Sequence, residues 1–267
     1  MKSLSIAVLL ILVYTGLRAQ DFINAQPVGG KNQLQYFIDQ ELIYPESMYK
    51  KGIEGKVSFL FDLDEKGHVT DIREVNTPDS AAYYETIRIF RLIEWQHATF
   101  RGVPAKDTKH FEISFNKKKY DRLCKSRGYS TIINPYEPVD SSGKVYWYRN
   151  VETSPHPVFA GNEQNLPSYI VANLKYPEAA IKQNLSGTVK LSFIVETNGK
   201  ISNMVIVNSL GAGCNEEAIR LLRSLKWMPG TYNLKAVRTR TSLTISFNLD
   251  RGADGLFNPV IKSSYGG

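Results

Sequence analysis

The chain repeats itself. Laid against its own sequence 132 residues further on, Tyr44-Pro45-Glu46 meets Tyr176-Pro177-Glu178 and the match needs no gap thereafter. Gly55 meets Gly187, Val57 meets Val189, Phe61 meets Phe193 and Gly67 meets Gly199. Glu85, Ile87, Arg88 and Arg91 meet Glu217, Ile219, Arg220 and Arg223; Trp95 meets Trp227. The match closes on Ile113-Ser114-Phe115-Asn116 against Ile245-Ser246-Phe247-Asn248. A period this long means a duplicated domain, because solenoid repeats run about 20–50 residues. With 267 residues, 42% of them hydrophobic and 22% charged, each copy can bury a core of its own.

Both copies read alike. A short helical turn follows Tyr-Pro-Glu (Glu178 to Gln183 in the second copy). Val189, Leu191, Phe193 and Val195 then alternate with Lys190, Ser192 and Ile194, the period of a strand with one buried face. Asn198-Gly199, like Lys66-Gly67 before it, signals a hairpin in which both central residues accept positive φ. A second strand spans Ile201 to Asn208. Glu216-Glu217 suit a helix start, and Ala218, Leu221, Leu222 and Leu225 form one apolar stripe. Trp227-Met228-Pro229-Gly230 closes the helix. In the last strand Leu243, Ile245, Phe247 and Leu249 alternate with polar residues. The fold class is α+β: two small domains, each an antiparallel sheet packed with helix, ββαβ with a short leading helix.

The boundaries follow. Residues 1–19 read as a signal peptide, with Lys2 ahead of the apolar run Ile6 to Tyr14 and a small residue, Ala19, before the cut. That run is too short to span about 30 Å of hydrocarbon; an uncleaved anchor is the alternative. Loss of Lys2 and Arg18 takes the formal charge from +7 to +5. The first domain covers 20–118, a linker 119–154, the second domain 155–250, and a loose Gly- and Ser-rich tail 251–267.

No catalytic motif stands out. The four histidines, His68, His97, His110 and His156, lack metal-site spacing, and neither GxSxG nor a P-loop occurs. Cys214, after Gly211-Ala212-Gly213, enters a helix whose N-terminus could activate a thiol, but a small buried hydrophobe is the stronger reading. An oxidising compartment permits a Cys124–Cys214 bridge. Lys117 to Lys119, Lys125 and Arg127 gather after the first copy; such a cluster suits a solvated face or an anionic envelope surface. No cofactor is implied, and nucleic acid does not fit an exported chain.

The ordered series Tyr176-Pro177-Glu178-Ala179-Ala180, Gly187-Thr188-Val189, Asn198-Gly199-Lys200-Ile201, Asn215-Glu216-Glu217-Ala218, Trp227-Met228-Pro229-Gly230 and Ile245-Ser246-Phe247 resembles the TonB C-terminal domain family, and Pro157-Val158-Phe159-Ala160-Gly161 is similar to its lead-in. The first copy departs at Gln96-His97 and keeps Gly102-Val103-Pro104; the second has Leu234 where the family has Gly. The resemblance implies a non-enzymatic periplasmic module of TonB-dependent transport, one that binds an extended peptide of an outer-membrane transporter. Binding would be by strand addition at the last strand. The expected partner-binding residues are Thr241, Ser242, Leu243, Thr244, Ile245, Ser246, Phe247 and Asn248, with Thr244 and Ser246 facing outward. The alternatives are an envelope-binding structural protein attached to peptidoglycan or the outer membrane, or a membrane-anchored energy transducer if the leader is kept.

Overall fold

The computed structural model describes residues 21–132, 134–159, 165–251 and 257–265. The proposed leader, residues 1–19, lies outside them. No helix of the described residues is long and apolar enough to cross a membrane.

The first copy runs α1 (Gly30–Glu41), α2 (Glu46–Lys51), β1 (Gly55–Leu63), β2 (Val69–Asn76), α3 (Ser80–Phe90), β3 (Asp107–Phe115) and α4 (Lys117–Arg127). Its antiparallel sheet has the order β2-β1-β3. Val57, Phe59, Phe61 and Leu63 on β1 are buried against Ile87, Ile89 and Phe90 of α3. The connecting segment contributes β4 (Val145–Trp147). The second copy follows with α5 (Leu166–Asn173), α6 (Glu178–Lys182), β5 (Gly187–Val195), β6 (Ile201–Asn208), α7 (Cys214–Ser224), β7 (Lys235–Arg251) and β8 (Phe257–Tyr265). The stripe read on α7 is buried: Ala218, Leu221 and Leu222 are fully covered. Each such leucine contributes roughly 1.5–3 kcal/mol.

The residues shared between copies are structural. Tyr44 donates its hydroxyl to the Ile53 carbonyl at 2.7 Å, and Tyr176 to that of Leu185 at 2.7 Å. Glu85 accepts from the Ile43 amide and holds Arg88, which reaches the Glu41 carbonyl. Glu217 repeats this with the Lys175 amide, and its Arg220 reaches Asn173. The helix pair thus ties down the end of the leading helix in both copies. Gly67 and Gly199 recur because a Cβ would lie 2.3 Å from the carbonyl oxygen of Trp95 or Trp227.

Several expectations change. The hairpin turns need only one left-handed residue. Gly67 (φ 83) and Gly199 (φ 79) are left-handed, but Lys66 and Asn198 are not. The turns close by Gly67 N to Asp64 O and Gly199 N to Glu196 O bonds. This is a type I turn followed by a left-handed glycine. Trp227 does not end a helix; α7 stops at Ser224, and Lys226–Met228 forms a short strand against His156–Val158. The linker is built into the fold: α4 packs Tyr120 into the first core, so that unit extends past 118. The tail is not wholly loose, since Phe257–Tyr265 forms β8. Both cysteines are free, Cys214 inside the second core and Cys124 against the first, so no bridge forms.

The copies dock on one another through polar contacts. Asn203 sits at φ 48 in a bulge that sets two β6 residues against one on β5. β2, the matching strand, pairs regularly from Arg73 to Asp71. The bulge turns the Asn203 side chain into the first copy. There it accepts from the Glu94 amide at 2.7 Å and donates to the Leu92 carbonyl at 2.8 Å. Arg238, almost fully buried, bonds the same carbonyl and pairs with Glu196 at 2.7 Å. Burial pushes the Glu196 carboxyl above the usual range, and Arg238 opposes that shift. Gly29 (φ 85) lets the chain pass so close that a Cβ would lie 2.0 Å from the Met204 carbonyl oxygen.

Candidate peptide-binding edges

The stretch Thr241–Asn248 lies in the middle of β7. One side pairs antiparallel with β5, from Thr241 opposite Phe193 to Phe247 opposite Gly187. The alternation is as expected: Leu243, Ile245 and Phe247 are fully buried, while Thr244 and Ser246 are half-buried. Thr241 and Ser242 are buried as well. The other side is not free. β8 pairs antiparallel with it, from Leu243 opposite Tyr265 to Asn248 opposite Val260. β4 pairs in parallel with Arg238 to Arg240 just upstream. The edge that strand addition would use is therefore filled by the chain's own tail and connecting segment. Pro259, which has no N–H to donate, is accommodated because β8 has β7 as its one strand neighbour among the described residues.

The matching strand of the first copy has a different boundary. Among the described residues, β3 pairs with β1 and has no second strand neighbour. Beside it runs an open groove of about 650 Å³. β3 contributes Glu112, Ile113 and Ser114 to it; Gln35, Ile38, Asp39 and Leu42 line the α1 side, and Lys119, Tyr120 and Leu123 the α4 side. In the second copy the corresponding space, between α5 and β7, holds β8.

A local choice at one asparagine separates the two. Asn116 caps α4, its side chain accepting from the Lys119 amide at 2.9 Å, so the chain turns away from the sheet. Its counterpart Asn248 stays extended within β7. Arg127, at the far end of α4, donates to the carbonyls of Asp39 (2.7 Å) and Leu42 (2.9 Å). It thereby satisfies carbonyls that the C-terminus of α1 leaves open. The groove is thus braced at both walls. Arg127, read in sequence as part of a basic cluster, is an internal brace. Burial raises the phenols of Tyr44 and Tyr120, and both hydroxyls donate to backbone carbonyls, of Ile53 and Ser130.

The features weighed for chemistry do not converge. Cys214 is fully buried and its thiol is pushed up by burial, then by Glu216, against the requirement for a nucleophile. His68 is exposed and faces Asp64 at 3.2 Å. Among the described residues no three His, Cys, Asp or Glu side chains gather in a way that could hold a metal ion.

Two segments of the chain, residues 40–116 and 172–249, match the family model described as Gram-negative bacterial TonB protein C-terminal. The chain belongs to that family. The two matches cover more than half of the sequence and coincide with the two structural copies. Membership places it with the protein-interaction domains of TonB-dependent transport, which are periplasmic or membrane-anchored. No curated protein matches it.

The leading helices α1 and α5 were missed in sequence. Leu34, Phe37, Ile38 and Glu41 give α1 a helical spacing, and Asn165-Leu166-Pro167 is a readable start for α5, Asn165 accepting from the Ser168 amide.

Proposed function

We propose that the protein is a periplasmic interaction module of TonB-dependent transport that takes up an extended transporter peptide by strand addition. The supporting observation is the unpaired edge of β3 beside the groove walled by α1 and α4. An unpaired edge offers N–H and C=O groups that a peptide strand can satisfy, with side-chain pockets setting preference. Of the two equivalent edges, Asp107–Phe115 accepts a strand directly. Thr241–Asn248 accepts one after β8 leaves. Export by a cleaved leader fits the same role.

Amide mapping by NMR tests this. A synthetic plug-end peptide of an outer-membrane transporter should shift amides from Thr108 to Ser114 and protect some of them from exchange. Binding with no change in that strand would sink the reading.

A further inference from the structure

Where the two copies meet, a second cavity of about 790 Å³ opens between α1, the connecting segment and the β5–β6 hairpin. It is separate from the β3 groove, and nothing in strand addition uses it. Three cations line it, Lys200, Arg223 and Lys226, and no carboxylate does. None of the three has an acidic partner within salt-bridge distance among the described residues. Lys200 donates to the Gln40 carbonyl at 2.8 Å and contacts the Tyr129 hydroxyl. Glu41, which also acts on Lys200, is already shared by Arg88 and Asn198. Arg223 stacks on the Tyr36 ring at 3.6 Å and gives one N–H to Gln33. Its Nε is buried without a hydrogen-bond partner. Burial holds Lys200 down to about 8, with Glu41 pulling the other way, and burial lowers Arg223 too.

A buried donor left unmatched is costly, and three cations lining one cavity with no carboxylate in its wall favour an anion there. The rest of the lining is also donor-rich. The Tyr36 and Tyr136 hydroxyls and the Gln40 amide nitrogen have no protein partner among the described residues, and Tyr136 forms one wall. The cavity has more room than a bare oxyanion needs and is open to solvent on one side. We propose that this cavity binds a sugar carrying a carboxylate or a phosphate. Lys200, Arg223 and Lys226 take the anionic group, and Tyr36, Gln40 and Tyr136 meet the hydroxyl-bearing body. The site exists only because the copies are docked, which assigns the duplication a role that neither copy has alone.

Calorimetric titration of the full protein tests it, using N-acetylmuramic acid and glucose 1-phosphate as probes, with glucose and inorganic phosphate as controls. At least one charged sugar should bind one to one, and which one identifies the anionic group. Glucose should not bind, and inorganic phosphate should bind more weakly than the sugar. Lys226→Met, a change at an exposed residue, and Arg223→Gln should each weaken binding roughly tenfold or more, with thermal unfolding confirming that the variants are folded. No binding of either charged sugar would overturn the proposal. So would phosphate binding as tightly as the sugar, or affinity unchanged in both variants.

Discussion

The two copies share a hairpin, a core helix and a final strand, and differ in what lies beside that strand. In the second copy β7 is flanked by β5 and β8, with β4 alongside Arg238 to Arg240. In the first, β3 has β1 on one side and a groove on the other. The sheet is the same; the segment that follows it decides whether its edge is satisfied internally or left for a partner. After Asn116 the chain makes a helix, and after Asn248 it makes more strand. A duplicated domain can thus keep one edge available while the other becomes interior.

The largest asymmetry to exploit is in the cores. Trp227 is 2% exposed and packs edge-on against Phe193 at 5.0 Å, whereas Trp95 is only half-buried beside Phe61. Trp227→Ala should cost about 3–5 kcal/mol in urea unfolding, and Trp95→Ala clearly less. Equal losses would mean that the two cores are equally packed. Next comes the docking bulge. Asn203→Ala leaves the Glu94 amide without its partner, while the Leu92 carbonyl keeps Arg238, and should cost about 1–3 kcal/mol. Asp71, the matching residue of the first copy, is exposed, and Asp71→Ala should stay within about 0.5 kcal/mol.

A smaller effect appears with pH. Burial lowers Lys200 to about 8, so the unfolded chain holds that proton over a range where the folded chain has released it. Stability should therefore rise as pH climbs from about 8 towards the unfolded value near 10.4. Lys200→Met should flatten that rise. Partial exposure of the side chain keeps the gain well below what full burial would give. In the first copy the matching residue is His68, exposed at its own hairpin.

Much of this was legible before the structure. Strand alternation at Val189 to Val195 and the stripe Ala218, Leu221, Leu222 are periodic signals, and burial followed them. The repeat located both copies because its shared residues, Tyr44/Tyr176, Glu85/Glu217 and Gly67/Gly199, each close a local backbone contact. The edge itself was not legible. Whether β7 is free depends on Phe257–Tyr265, where Pro259 and flanking glycines argue against a strand and only a long-range partner supplies one. The docking of the copies was hidden for a similar reason. Asn203 reads as an ordinary strand residue, and its left-handed backbone is set by what it meets across the interface.

Among the described residues, one of the two equivalent edges is open and the other is filled by the tail. Titrating a plug-end peptide into the intact chain and into a chain ending at Arg251 tests it most directly. One peptide per intact chain, bound at Asp107–Phe115, and two per shortened chain, the second at Thr241–Asn248, is the predicted result. Peptide bound to Thr241–Asn248 in the intact chain, with Asp107–Phe115 unaffected, would contradict it.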